Sequence, residues 1–281
     1  MTASARSRRS CRLAILCSAA LLCGGLAAYA QSGPRSSSPA ALPNDPPDAP
    51  EVQQLATETI SVRDLPRNLL HDQAAIWTSP ARLNESNAIG PAALVLATTV
   101  VITTDHEVMS SHFQDKSLND HASTAANALV GGFVATPALM FGVGHLRHNN
   151  HAEETGILAA EAVADSLAVS EVIKLVSLRE RPPLNDARGR FFQTSVGFDS
   201  SFPSNHTVVA WSSASVIASE YNGTLTKLTA YGFATGVSVA RVVGRAHFPS
   251  DVLVGSAVGW MIGRYVFRRH SHSYSGRFSV Q

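Results

Sequence analysis

Apolar positions recur with helical spacing in six stretches separated by turn signals: Ala88 to Thr103, Ala128 to Leu146, Gly156 to Leu178, Thr207 to Tyr221, Leu225 to Val243 and Asp251 to Phe267. No stretch alternates with period two over a useful length, and no internal repeat is visible. A shorter amphipathic segment runs from Leu65 to Trp77 and is ended by Thr78-Ser79-Pro80. It would lie across the other helices or on a membrane surface. Small residues such as Gly131-Gly132 and Gly255-Ser256-Ala257 predict closely approaching axes. The pattern predicts an all-α fold, a compact bundle of about six helices within residues 65–270.

The flanks read differently. Arg6, Arg8, Arg9 and Arg12 precede an apolar run from Leu13 to Ala28, and Ala28-Tyr29-Ala30 offers the small residues of a cleavage site. Residues 1–30 are therefore expected to be a secretory signal, which places the mature protein in the periplasm or cell exterior. Ser7-Arg8-Arg9 is a weak twin-arginine pattern. Residues 31–64 open on Pro, Ser, Ala and Asp with few large apolar side chains and predict a disordered tether; residues 271–281 predict a flexible tail.

Composition narrows the chemistry. The 281 residues are 45% hydrophobic and 15% charged, enough for one sizeable core. All three cysteines, Cys11, Cys17 and Cys23, lie in the expected signal, so the mature chain is left without a disulfide framework or a zinc-thiolate site. Losing four arginines turns the formal charge from +1 to −3, which gives no basic field for nucleic acid. Between water and bilayer, the sequence favours a soluble or peripheral bundle. The Gly156–Leu178 stretch carries Glu161, Asp165 and Glu171, Pro137 interrupts another, and the last apolar stretch is short.

Three segments carry candidate chemistry. In the first, Lys174 and Arg181 stand seven residues apart at a helix end stopped by Pro182-Pro183, so both cations can face one point about 10 Å across. A solvated basic helix end is the alternative. In the second, Phe202-Pro203-Ser204-Asn205-His206 precedes an apolar helix; Ser204 is a good N-cap, and the helix start is suited to an anion, with His206 beside it or simply at the surface. In the third, Arg241 is followed by His247-Phe248-Pro249-Ser250-Asp251, with Pro249 in a first helical turn and Asp251 close enough to hold one imidazole nitrogen. Asp251 could instead merely complement the helix dipole. Together, two histidines, a carboxylate and three cations suit phosphoryl transfer: the cations neutralise the equatorial oxygens, one histidine attacks and the other protonates the leaving oxygen.

These segments resemble the three-part pattern of the type 2 phosphatidic acid phosphatase superfamily, which includes bacterial class A acid phosphatases and vanadium haloperoxidases. Lys174, Arg181 and Pro182 match its first part. Pro203, Ser204 and His206 match the second, with Asn205 where glycine is usual, and Arg241, His247 and Asp251 match the third, with Ala240 in place of serine. The resemblance implies the family's helical bundle and a metal-independent phosphoric monoester hydrolase. His247 would form a phosphohistidine, His206 would serve as general acid and then base, and Asp251 would orient His247. Lys174, Arg181, Arg241, Ser204 and Asn205 would bind phosphate. Substrates would be phosphatidate-type lipids or small phosphomonoesters, with membrane-surface association in the lipid case and no cofactor. Two other readings stay open: a haloperoxidase, in which vanadate would be the cofactor, and a non-catalytic phosphate or phospholipid binder, prompted by Asn205 and Ala240. His145, His148 and His151 recur at spacing three, suggesting a metal site or a solvated turn; Arg245 suggests a further phosphate contact or a solvent-facing charge; the Arg268–His272 run suggests a lipid contact or a frayed end.

Overall fold

In the computed structural model, which describes residues 61–272, the chain is helical with no strand among those residues. The helices are α1 (Leu65–Thr78), α2 (Ile89–Ser111), α3 (Lys116–Leu146), α4 (Asn150–Ser177), α5 (Asn205–Glu220), α6 (Thr224–Val243) and α7 (Pro249–His270), with 3-10 turns between α1 and α2, between α4 and α5, and at Val62–Asp64, where the end of the expected tether is ordered. Six of these answer to the six apolar stretches, and α1 to the amphipathic segment. The expected signal, residues 1–30, most of the tether and residues 273–281 of the tail lie outside the described residues.

The core is built by α4, α5 and α7. Leu158, Ala162 and Val169 of α4 meet Val216 of α5 and Val258, Ile262 and Val266 of α7, all buried. Contact between α5 and α7 is closer than ordinary side chains allow. A Cβ on Gly259 would collide with the Val208 carbonyl, and one on Gly263 with the Ser212 carbonyl. Gly255 faces the Ser204 backbone in the same stripe. This seam sets the start of α5 against the start of α7, which brings the second and third sequence segments together. Gly131 and Gly132, by contrast, face open space, so they do not serve close packing.

Length departs from the sequence reading most in two helices, although α4, from Asn150, and α7, at 22 residues, also outrun their apolar stretches. α2 and α3 extend well beyond their apolar stretches, to 23 and 31 residues, because Thr104–Ser111 and Lys116–Asn127 continue the helix with polar side chains. At 1.5 Å per residue they span about 34 Å and about 46 Å. Both are long and apolar enough to cross a membrane, so length does not argue for water in these two. They also leave Ile89, Val95, Leu96, Val100, Val134 and Leu139 exposed.

Candidate active site

The first segment arrives differently from the sequence reading. α4 ends at Ser177 with Leu178 in the left-handed cap (φ 42°), so Arg181 comes from the following loop and not from the helix face of Lys174. Lys174, in the last turn, is buried and donates through Nζ to the Ser200 carbonyl. Arg181 donates through Nε to Asp199 Oδ1 at 2.8 Å and through Nη1 to the Ala246 carbonyl at 3.1 Å, tying the first segment to the third.

The second segment crosses a cis Phe202–Pro203 bond and enters α5 at Asn205, with Ser204 as N-cap. The Ser204 hydroxyl does not cap the first turn; it accepts a hydrogen bond from Thr207 Oγ1, while the Ser204 N–H donates to the Asp251 carbonyl at 3.2 Å. Asn205 is the first residue of α5 and is helical. Its side chain turns to α4, accepting from Ser170 Oγ at 2.6 Å and donating to Glu171. Ala240, half-buried, stands one residue before Arg241 on α6. His206 places Nε2 2.9 Å from Asn127 Oδ1 of α3, and the same oxygen accepts from Arg241 Nη1 at 3.4 Å.

In the third segment the turn after α6 returns the chain to α7, with Pro249 as its first residue. His247 is buried, and its Nδ1 lies 2.8 Å from the Ser201 carbonyl. That carbonyl can only accept, so Nδ1 carries the proton and Nε2 is left with its lone pair. Asp251 Oδ2 stands 3.6 Å from Nδ1, too far for a hydrogen bond. Its oxygens accept instead from the Phe248 N–H at 2.8 Å, from Ser201 Oγ, and from Arg179 Nη1 at 2.6 Å. Asp251 therefore bears on His247 through the Ser201 loop and by charge.

Arg179 carries the most consequential side chain that the sequence reading passed over. It is fully buried and donates to Asp251, to Ser250 Oγ at 2.7 Å, to Asp105 Oδ2 of α2 at 2.7 Å and to the Gly189 carbonyl at 3.2 Å. The Phe191 and Phe248 rings lie 4.6 and 4.2 Å from its guanidinium carbon. It thus links α2, the loop after α4 and the start of α7 behind the histidine. Its sequence signal, one more arginine beside Arg181, does not distinguish it from a surface charge. Asn127 had no signal at all in its alanine-rich surroundings.

The electrostatics favour an anion. Burial, followed by the charge of Arg181, lowers Lys174 to about 8; burial and then Arg181 lower Arg241 to about 10. His206 is lowered to about 4 by burial and then by Arg241, His247, Arg181 and Lys174. His247 is also lowered to about 4, by burial and by Arg181 and Arg241 against the raising influence of Asp251. Burial alone would raise Asp251, but His247, Arg179 and Ser201 hold it below the usual carboxylate range. The three cations thus crowd the same space as both imidazoles. Arg241 Nε is buried there without a hydrogen-bond partner.

Other sequence candidates lie elsewhere. Arg245 turns to α2 and donates to the Met109 carbonyl at 2.6 Å. His145 pairs with Glu153 at 3.3 Å and His151 with Glu220 at 3.1 Å, so these two do not converge on one ion. His270 and Arg269 turn toward Asp72, and the His272 N–H donates to Glu154 at 2.7 Å, so this end is anchored as far as His272.

Residues 155–274 match the family model of the PAP2 superfamily. No curated protein matches the chain. Among solved structures, the first transmembrane PAP2 type phosphatidylglycerolphosphate phosphatase from Bacillus subtilis aligns at 19% identity. The alignment covers 77% of this chain and 96% of that one, with a TM-score of 0.43.

Proposed function

We propose that the chain, whose residues 155–274 match the PAP2 superfamily model, is a phosphatase using His247 as nucleophile, with lipid phosphate as its favoured substrate. The observation that carries this reading is the crowding of Lys174, Arg181 and Arg241 around two imidazoles, with Arg241 Nε buried and unpartnered. A phosphoryl group supplies the missing acceptor and the compensating negative charge.

The chemistry follows from the proton positions. With Nδ1–H held by the Ser201 carbonyl, His247 Nε2 attacks phosphorus in line, and the bond to the leaving oxygen breaks as His206 gives that oxygen a proton. His206 then takes a proton from water, whose oxygen attacks the phosphohistidine, releasing phosphate and restoring His247. Lys174, Arg181 and Arg241 hold the equatorial oxygens throughout. Arg179 and Asp251 hold the loop that carries His247 and touch no substrate atom.

Lipid phosphate is favoured by an apolar groove of about 390 Å³ lined by Trp77, Val172, Ile173, Val176, Phe191 and Phe192 together with Ser177 and Phe202. Ser177 Oγ donates to the Phe202 carbonyl at 2.8 Å and lies 3.1 Å from Ser200 Oγ, and the Ser200 carbonyl accepts from Lys174, so the wall of this groove adjoins the loop that the lysine holds. The exposed apolar faces of α2 and α3 support work at a membrane, on its extracytoplasmic side if residues 1–30 are a secretory signal.

Comparing phosphatidate with a soluble aryl phosphate tests the proposal. Turnover of both is expected, with a lower KM for phosphatidate, and loss of turnover by His247→Gln. Full turnover by His247→Gln rejects the nucleophile; equal KM values for the two substrates reject the lipid preference.

A further inference from the structure

Near the middle of α4, a second polar cluster has no part in the proposed phosphate chemistry. Glu161 lies 13 residues before Lys174 on that helix, about 20 Å away at 1.5 Å per residue. Its carboxylate meets Asp72 of α1 and His270 of α7, and one ligating atom from each of the three lies within 4.8 Å of the others. Asp72 and Glu161 are fully buried at the side chain, and His270 is 16% exposed.

Hydrogen bonding leaves this cluster incomplete. Asp72 accepts from Tyr265 at 2.9 Å and stands 2.8 Å from His270 Nε2, with Arg269 at 3.5 Å on the rim. Glu161 has no well-formed hydrogen bond at either oxygen: His270 Nε2 is 3.5 Å away, and the Asn68 side chain gives only a weaker polar contact. Asp165, one turn further on α4, accepts from Gln73 at 2.7 Å through Oδ1 but leaves Oδ2 buried and unpartnered. A buried carboxylate with no donor is relieved either by a proton or by a cation, and burial raises Glu161 to about 7 and Asp165 to about 6, so both acids are poised to take one or the other. The single Nε2 of His270 cannot serve both Asp72 and Glu161.

We infer that Asp72, Glu161 and His270 form a binding site for one divalent metal ion, zinc by the chemistry of its donors, with Asp165 beside it. Two carboxylates and an imidazole are a zinc-type N/O set, and small side-chain rotations close three atoms already this near one another. Coordination replaces the Nε2 proton of His270, which is released to solvent, and the metal then meets both buried acids at once. Its role is structural. Asp72 is the only buried residue of α1, so an ion held jointly with Glu161 and His270 fastens that helix to α4 and α7.

The test is zinc content and thermal unfolding of the full chain after chelator treatment and dialysis against micromolar Zn²⁺. One equivalent of zinc per chain and a rise in Tm are expected. Glu161→Gln and His270→Ala should lose both effects, whereas His148→Ala, on the exposed turn between α3 and α4, should keep them. Co²⁺ in place of zinc should give visible absorption that Glu161→Gln abolishes. Should His270→Ala fail to fold, the isosteric Glu161→Gln decides the matter alone. Absence of stoichiometric zinc, retention of zinc by Glu161→Gln, or its loss in His148→Ala would overturn the site.

Discussion

Arg179 illustrates how a residue can govern a site without touching substrate. Its guanidinium is shared by Asp105 and Asp251, both buried, and burial outweighs Arg179 at Asp105, raising that carboxyl to about 6. Arg179→Met strands two buried acids and should cost about 3–5 kcal/mol in urea unfolding. Adding Asp105→Asn should recover part of that loss; no recovery would show that the pair does not account for it. The histidines give a second test at this scale. In the free protein burial lowers both His206 and His247 to about 4, and the proposed mechanism needs the first protonated and the second neutral. kcat/KM should therefore peak near pH 4, falling above it as His206 loses its proton and below it as His247 gains one. Bound phosphate adds negative charge and raises both values, so kcat should peak at higher pH than kcat/KM. Coincident optima would contradict this. Asn205 offers a third test. Because its side chain binds Ser170 and Glu171, Asn205→Gly should lower stability by about 1–2 kcal/mol through lost hydrogen bonds while leaving turnover nearly unchanged. A large change in kcat would place that side chain at the substrate instead.

Between elements, the seam of α5 and α7 decides whether the site assembles. Gly255, Gly259 and Gly263 let the two backbones approach, and the Ser204 N–H to Asp251 carbonyl bond lies at the catalytic end of that seam. Gly259→Ala should therefore destabilise by about 1–3 kcal/mol through overpacking and also reduce turnover. Thermal unfolding with activity measured well below Tm separates the two effects, and unaltered stability would refute the close approach. The positions of these helices were legible because apolar spacing, Pro249 at the start of α7 and the turn residues between stretches are local signals. The full lengths of α2 and α3 were not, since Lys116–Asn127 presents polar and small residues with no apolar face to mark it. Nor was the route of Arg181: the left-handed Leu178 ends α4 four residues before Pro182, and nothing in a leucine announces that conformation. The site segments were legible as motifs. Their support was not, because Asp105 to Arg179, Asn127 to His206 and Ser201 to His247 are pairings across long stretches of chain.

For the whole molecule, the proposed phosphate site, the apolar groove and the bare faces of α2 and α3 support the proposal of an enzyme that meets its substrate at a lipid surface. Vesicle flotation should carry the chain upward with phospholipid, and polar substitutions at Val95, Leu96 and Val100 should weaken that; recovery of the unmodified chain only in the dense fraction would contradict it. All of this hangs on whether His247 becomes phosphorylated. The most direct measurement is to mix the chain with radiolabelled phosphate ester, quench in alkali within the first turnover, and locate the label by peptide mass spectrometry. A phosphoryl group on His247 Nε2, absent in His247→Gln and accumulating in His206→Asn, is the expected result. Turnover with no label on His247, or label on another residue, would contradict it.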